Sequence, residues 1–129
     1  MNIFVYGTLK QRCSRGYIIQ YSNGVFIGTG TIKGTLKVLP YGYPGYIEEG
    51  NDILAGELYS FDDDSVMNQF DLIEGYDPNA TDPLFNLYIR KECEIDVKGT
   101  KYKAWVYVWN HPFPDDSTYP NCTDNVYYF

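Results

Sequence analysis

Histidine occurs once in this 129-residue chain, at His111, and cysteine three times, at Cys13, Cys93 and Cys122. The cysteines are far apart and include no Cys-x-x-Cys pair. They therefore form no disulfide framework and, with a single histidine, no zinc site, so no metal is expected. Ser14, Ser22, Ser60, Ser65 and Ser117 have only His111 as a possible base, and it lies in a proline-rich tail. Nothing near Cys13 pairs it with that histidine, which leaves nucleophilic triads without a base. Basic residues are also scarce, 10 Lys and Arg against 17 Asp and Glu, for a net charge of −7. Such a balance gives no basic face for nucleic acid and no docking surface for anionic lipid. No apolar run reaches the length of a membrane span, and the first strand lacks the charged start of a signal peptide. A cytoplasmic protein with no membrane or nucleic-acid partner is the expectation, and the sequons at Asn79 and Asn121 then carry no glycan. No repeat, low-complexity tract or linker divides the chain, so residues 1–129 read as one domain that buries roughly two-thirds of its unfolded surface.

Aromatic residues are abundant instead: 14 Tyr, 7 Phe and 2 Trp. Such rings fill a β-rich core and, at a pocket rim, position polar ligands. Apolar and polar residues alternate with period two over much of the chain, which predicts strands near 2–6, 25–39, 46–48, 53–61, 88–97 and 101–109. Gly28, Gly30 and Gly34 interrupt the second run and predict bends or bulges in a curved sheet. They open no helix, so they are not a dinucleotide or phosphate fingerprint. Lys98-Gly99-Thr100 is a tight connection that pairs the last two strands antiparallel. One helix is predicted. Asp62-Asp63-Asp64-Ser65 supplies an N-cap and negative charge, Val66, Met67, Phe70 and Ile73 make an apolar face, and Gly75 ends it. A shorter helix or irregular turn falls at 15–20. The tail over 110–129 carries His111-Pro112-Phe113-Pro114 and Tyr119-Pro120, which break a ladder, and its aromatics predict that it packs on the body.

Two places point to chemistry. The strand Ile3-Phe4-Val5-Tyr6 runs into Gly7-Thr8-Leu9, where glycine permits positive φ and close approach to the main chain. Successive amides in such a turn form an anion-binding concavity, although an ordinary strand exit has the same composition. Glu74 stands in the last helical turn, against the negative end of the macrodipole. By position alone it is either a solvated glutamate before a capping glycine or a carboxylate whose pKa that field raises toward use as a base. Asp71, one turn earlier, reads as a structural partner. Glu48, Glu49 and Glu57 read as exposed or locally paired.

The strand-turn at 3–9 together with Gln69-Phe70-Asp71-Leu72-Ile73-Glu74-Gly75-Tyr76 resembles the gamma-glutamylcyclotransferase-like superfamily. The likeness continues through Tyr43-Pro44-Gly45, Gly56-Glu57-Leu58-Tyr59, Leu87-Tyr88-Ile89-Arg90 and Ala104-Trp105-Val106-Tyr107-Val108. Gly75-Tyr76-Asp77-Pro78 and the length of the following loop are similar to a bacterial-type gamma-glutamylamine, AIG2-like branch. The resemblance implies an α+β fold, a mixed curved β-sheet or small barrel with one main helix. It implies a cofactor-free enzyme on a small-molecule gamma-glutamyl substrate, whose α-amine attacks the γ-carbonyl to release 5-oxoproline and an amine. Glu74 would be the catalytic acid/base, with Tyr6, Gly7, Thr8 and Leu9 binding substrate. The loop 77–83 and the tail would read the leaving group, with neutral or cationic amines favoured by the acidic chain. The alternative is a non-catalytic protein that binds or sequesters a small molecule in the same pocket. The oligomeric state is left open.

Overall fold

The computed structural model describes residues 1–6, 23–40, 42–123 and 125–128. Seven strands appear among them: β1 (Asn2–Val5), β2 (Val25–Val38), β3 (Pro44–Ser60), β4 (Tyr88–Val97), β5 (Thr100–Trp109), β6 (Asn121–Thr123) and β7 (Val126–Tyr128). The order β1-β5-β4-β2-β3 closes on itself because β1 also pairs with β3, antiparallel from Asn2 opposite Ser60 to Val5 opposite Glu57. The closing β1–β5 contact is parallel, which makes the five-stranded barrel mixed.

Strand alternation divides the core in two. Phe4, Tyr6, Ile32, Leu36, Tyr46, Leu54, Leu58, Ile95 and Val106 fill the barrel interior. Their neighbours Ile3, Val5, Tyr59 and Tyr107 point the other way and meet Val66, Met67 and Phe70 of the helix α1 (Val66–Glu74). Thus β1 is buried on both faces, as a strand with a helix on one side and a barrel on the other must be. Ile73 packs at the edge of the helix-side cluster, completing the apolar face read from its spacing.

Local chemistry explains most element ends. Gly75 closes α1 at φ 66°, in the left-handed region that glycine enters at little cost. The helix start differs from expectation. Ser65 makes no side-chain cap bond; instead Asp63 Oδ1 accepts from the Ser65 amide at 2.8 Å, so the acids act as a turn just before the helix. Lys98 and Gly99 both have positive φ, 51° and 87°, the pattern of a two-residue hairpin turn with the expected antiparallel pairing of β4 and β5. Register shifts in the β2–β3 pairing fall at Phe26/Gly28 and Gly34/Thr35, where glycines predicted bulges.

Two expectations need correction. The separate strands predicted at 46–48 and 53–61 are one strand, β3. The pairing jumps from Gly34–Asp52 to Thr35–Ile47, the intervening residues loop out through Gly50 at φ 116°, and Thr35 Oγ1 donates to the Glu49 carbonyl at 2.7 Å. The polar Glu48-Glu49-Gly50-Asn51 run therefore marks a bulge rather than a strand end. The tail, expected to break from the ladder, extends the sheet instead: β7 runs parallel to β3 and pairs with β6. Val38 and Thr118 exchange main-chain hydrogen bonds at 2.6 and 2.9 Å, and Lys37 lies over the rings of Phe113 and Tyr119. The helix or turn read at 15–20 lies outside the described residues.

Candidate active site

A cavity of about 350 Å³ opens where the end of β1, the end of α1 and the start of β4 converge. Phe4, Val5 and Tyr6 enter from β1, Ile73, Glu74 and Gly75 from the helix end, Tyr88 from β4 and Tyr107 from β5. Glu74 and Tyr6, singled out from the sequence, therefore line one cavity. Gly7, Thr8 and Leu9 lie outside the described residues, as does Cys13. Glu74 is half-buried and is the one charged side chain among the described residues of the lining.

Three tyrosines surround this carboxylate, and each sends its proton elsewhere. The Tyr6 hydroxyl donates to the Tyr107 carbonyl at 2.6 Å, Tyr88 to the Pro44 carbonyl at 2.5 Å, and Tyr107 to Asp71 Oδ1 at 2.6 Å. Burial, first of all, pushes all three phenols well above the ordinary tyrosine range, and the Glu74 charge adds to the effect in each. For Tyr107 the bond to Asp71 is the second cause. A phenol that stays protonated and spends its one proton on the protein keeps only lone pairs for a ligand. Among the described residues of the lining, the Glu74 carboxylate and phenols so engaged offer acceptors rather than free protons, a character suited to an ammonium or amine.

The helix end that carries Glu74 is anchored through Asp71. This carboxylate is 7% exposed and accepts from Arg90 Nη1 at 3.0 and 3.1 Å through both oxygens, in addition to Tyr107. Arg90 in turn lies over the rings of Trp105 and Tyr76. The Asp71 carbonyl accepts the Tyr76 amide at 2.8 Å, so main chain and side chain of one residue fix the turn after Glu74. Asp71 is thus the structural partner the sequence indicated. Glu48 pairs with Lys91 at 3.1 Å, and Glu57 accepts from the Tyr59 hydroxyl at 3.2 Å, the local pairings expected of them.

The mouth of the cavity departs from expectation. No residue of 77–83 and no described residue of the tail lines it; Tyr43, Pro44, Leu72 and Leu87 do. Asn86 folds the loop back on itself, accepting from the Asp77 amide and donating to the Asp77 carbonyl, both at 2.9 Å. Asn110 then donates to the carbonyls of Pro83 and Asn86 at 3.0 Å, and His111 Nε2 meets the Asn86 carbonyl at 3.1 Å. Only the exit of the loop, Leu87-Tyr88, reaches the cavity. Leu72, 82% exposed beside Glu74, was readable as the off-face leucine of the helix, but its place at a mouth was not.

Residues 3–126 match the family described as gamma-glutamyl cyclotransferase, AIG2-like. The chain belongs to this family. It is a gamma-glutamyl cyclotransferase-like enzyme, and the barrel-plus-helix architecture is the fold of that group. Over 109 residues it is 31% identical to the gamma-L-glutamyl-butirosin B gamma-glutamyl cyclotransferase of Niallia circulans, covering 84% of this chain and 67% of that protein. An AIG2-like protein from Mus musculus superposes with a TM-score of 0.66 at 20% identity, covering 99% of this chain and 94% of that one. The ytfP protein of Escherichia coli gives a TM-score of 0.55 at 28% identity over 87% of this chain and 85% of that one. Among the described residues no helix is long and apolar enough to cross a membrane.

Proposed function

We propose that this enzyme cyclises gamma-glutamyl amides: the α-amine attacks the γ-carbonyl, the ring closes as 5-oxoproline, and an amine departs. One C–N bond forms and one breaks; once the α-ammonium has lost its extra proton to solvent, the balance needs only one proton moved from the attacking nitrogen to the leaving one. Glu74 takes that proton and returns it as general base and then general acid, a role that contributes about 10²–10⁴-fold in rate. The observation that carries this reading is the half-buried Glu74 carboxylate in a cavity shared with the end of β1, within a chain of this family.

The acceptor oxygens of Tyr6 and Tyr88 receive the α-ammonium before it is deprotonated. Tyr6, Gly7, Thr8 and Leu9 bind the glutamyl end, through its α-carboxylate or the developing oxyanion. Holding the chain folded, amine against carbonyl, supplies the proximity part of the rate. The leaving amine exits over Tyr43, Leu72 and Leu87, so an amine with an apolar segment fits this mouth better than a compact polar one. The reaction requires no cofactor.

The test is a panel of gamma-glutamyl amides with 5-oxoproline release as the readout. Turnover of at least one member is the expected result. Saturable binding of gamma-glutamyl compounds with no 5-oxoproline from any of them would instead establish a binding or sequestering protein.

A further inference from the structure

We propose that Tyr107 is the positioning residue of this site, fixing the separation between the helix turn that carries Glu74 and the strand end that carries Tyr6. The inference rests on the functional reading above and adds a residue that touches neither the proton nor the bond being broken.

Tyr107 is bonded at both ends. Its hydroxyl donates to Asp71 Oδ1 at 2.6 Å, and Asp71 stands one helical turn before Glu74. Its main-chain carbonyl accepts the Tyr6 hydroxyl at 2.6 Å, and Tyr6 directly precedes Gly7-Thr8-Leu9 in the sequence. The register of β1 with β5 pairs Ile3 with Trp105, and the Tyr6 hydroxyl ties the end of β1 to β5 farther along. One residue therefore links the two halves of the cavity, while Arg90 holds the far oxygen of Asp71 at 3.0 Å and prevents that carboxylate from rotating away.

The side chain itself argues the same way. Tyr107 is 3% exposed in the cluster of Ile3, Val5, Tyr59 and Phe70, where a phenylalanine would fill nearly the same volume without burying a hydroxyl. Burying a hydroxyl is unfavourable unless it is bonded, and this one is bonded to the helix that carries Glu74. Cyclisation places an amine nitrogen against a carbonyl carbon, and a displacement of about 1 Å in such a geometry costs up to about 100-fold.

The experiment is Tyr107→Phe, which removes the hydroxyl and leaves ring and carbonyl in place. For 5-oxoproline release kcat should fall about tenfold with KM within about twofold, the pattern of an interaction that matters only in the transition state. In the Glu74→Gln background the same change should cost less than about twofold, because a positioning residue acts through the group it positions. An equal loss in both backgrounds, a rise in KM alone, or wild-type turnover by Tyr107→Phe would overturn the inference and leave the functional reading intact. Absence of turnover in the wild type overturns that reading and this inference with it. Should Tyr107→Phe fail to melt cooperatively, Tyr6→Phe severs the other bond, with the same drop in kcat and the same masking by Glu74→Gln expected; unmasked loss again refutes the role.

Discussion

Replacing Asp71 by Asn keeps the shape of the side chain and removes its charge. Asp71 accepts from Tyr107 at 2.6 Å and from Arg90 Nη1 at 3.0 and 3.1 Å while only 7% exposed. Breaking a buried pair from one side costs about 3–5 kcal/mol, because the remaining charge is left without compensation. The Arg90 side chain keeps 22% of its exposure, so its cation recovers part of its hydration and the expected loss falls to about 2–3 kcal/mol. For a chain of this size that is a drop of about 6–15 °C in Tm. Urea unfolding of the wild type, Asp71→Asn, and the triple replacement Asp71→Leu, Arg90→Met and Tyr107→Phe gives the assay. Because the triple replacement leaves neither a charge nor the Tyr107 hydroxyl without its partner, it should lie within about 1 kcal/mol of wild type. Asp71→Asn within about 0.5 kcal/mol of wild type, as for an ordinary surface site, would refute the view that this pair anchors the end of α1. A triple replacement as unstable as the single one would refute it equally.

Two further outcomes follow from the same geometry. Burial raises the phenols of Tyr6, Tyr46, Tyr88 and Tyr107, and pushes the Cys93 thiol up to about 11. A raised acid holds more protons folded than unfolded, so its stabilisation is complete below the unfolded value and is lost as pH rises toward the folded one. Stability should therefore be flat up to about pH 9 and fall above about pH 10, with these four phenolates appearing in the absorbance only as the protein unfolds; their titration in a still-folded protein would contradict the assignment. At the cavity mouth, Leu72→Asp and Leu87→Asp should lower turnover of amides with apolar leaving groups about tenfold relative to a small test amide. Leu72 is 82% exposed, so stability should change by no more than about 0.5 kcal/mol, and an unchanged substrate ranking would place leaving-group recognition elsewhere.

Much of the architecture was legible because local and tertiary forces agree. Val66, Met67 and Phe70 recur at helical spacing and are buried, and Gly75 closes the helix where a left-handed residue is required. The glycines of β2 sit beside the register shifts they predicted. What the sequence did not disclose depends on distant partners. The β3 bulge is fixed by Thr35 reaching Glu49, and the retreat of loop 77–83 by Asn86 and Asn110. Neither leaves a periodic signal. The same holds at the site. Glu74 and Tyr6 stood out by position, whereas Tyr88 and Tyr107 entered only as members of strand motifs with no site role, and only the folded barrel brings them to the same cavity. The choice of loop 77–83 for the leaving group followed chain proximity to Glu74, which the Asn86 contacts override.

The central claim is that Glu74 moves the proton in a cyclisation, and Glu74→Gln tests it most directly by keeping the shape while removing the basic oxygen. With a gamma-glutamyl amide that the wild type turns over, 5-oxoproline release by the variant should fall at least about a hundredfold with KM little changed. Release by Glu74→Gln at a rate within about twofold of wild type, far short of any general-base contribution, would contradict the account and assign the base elsewhere.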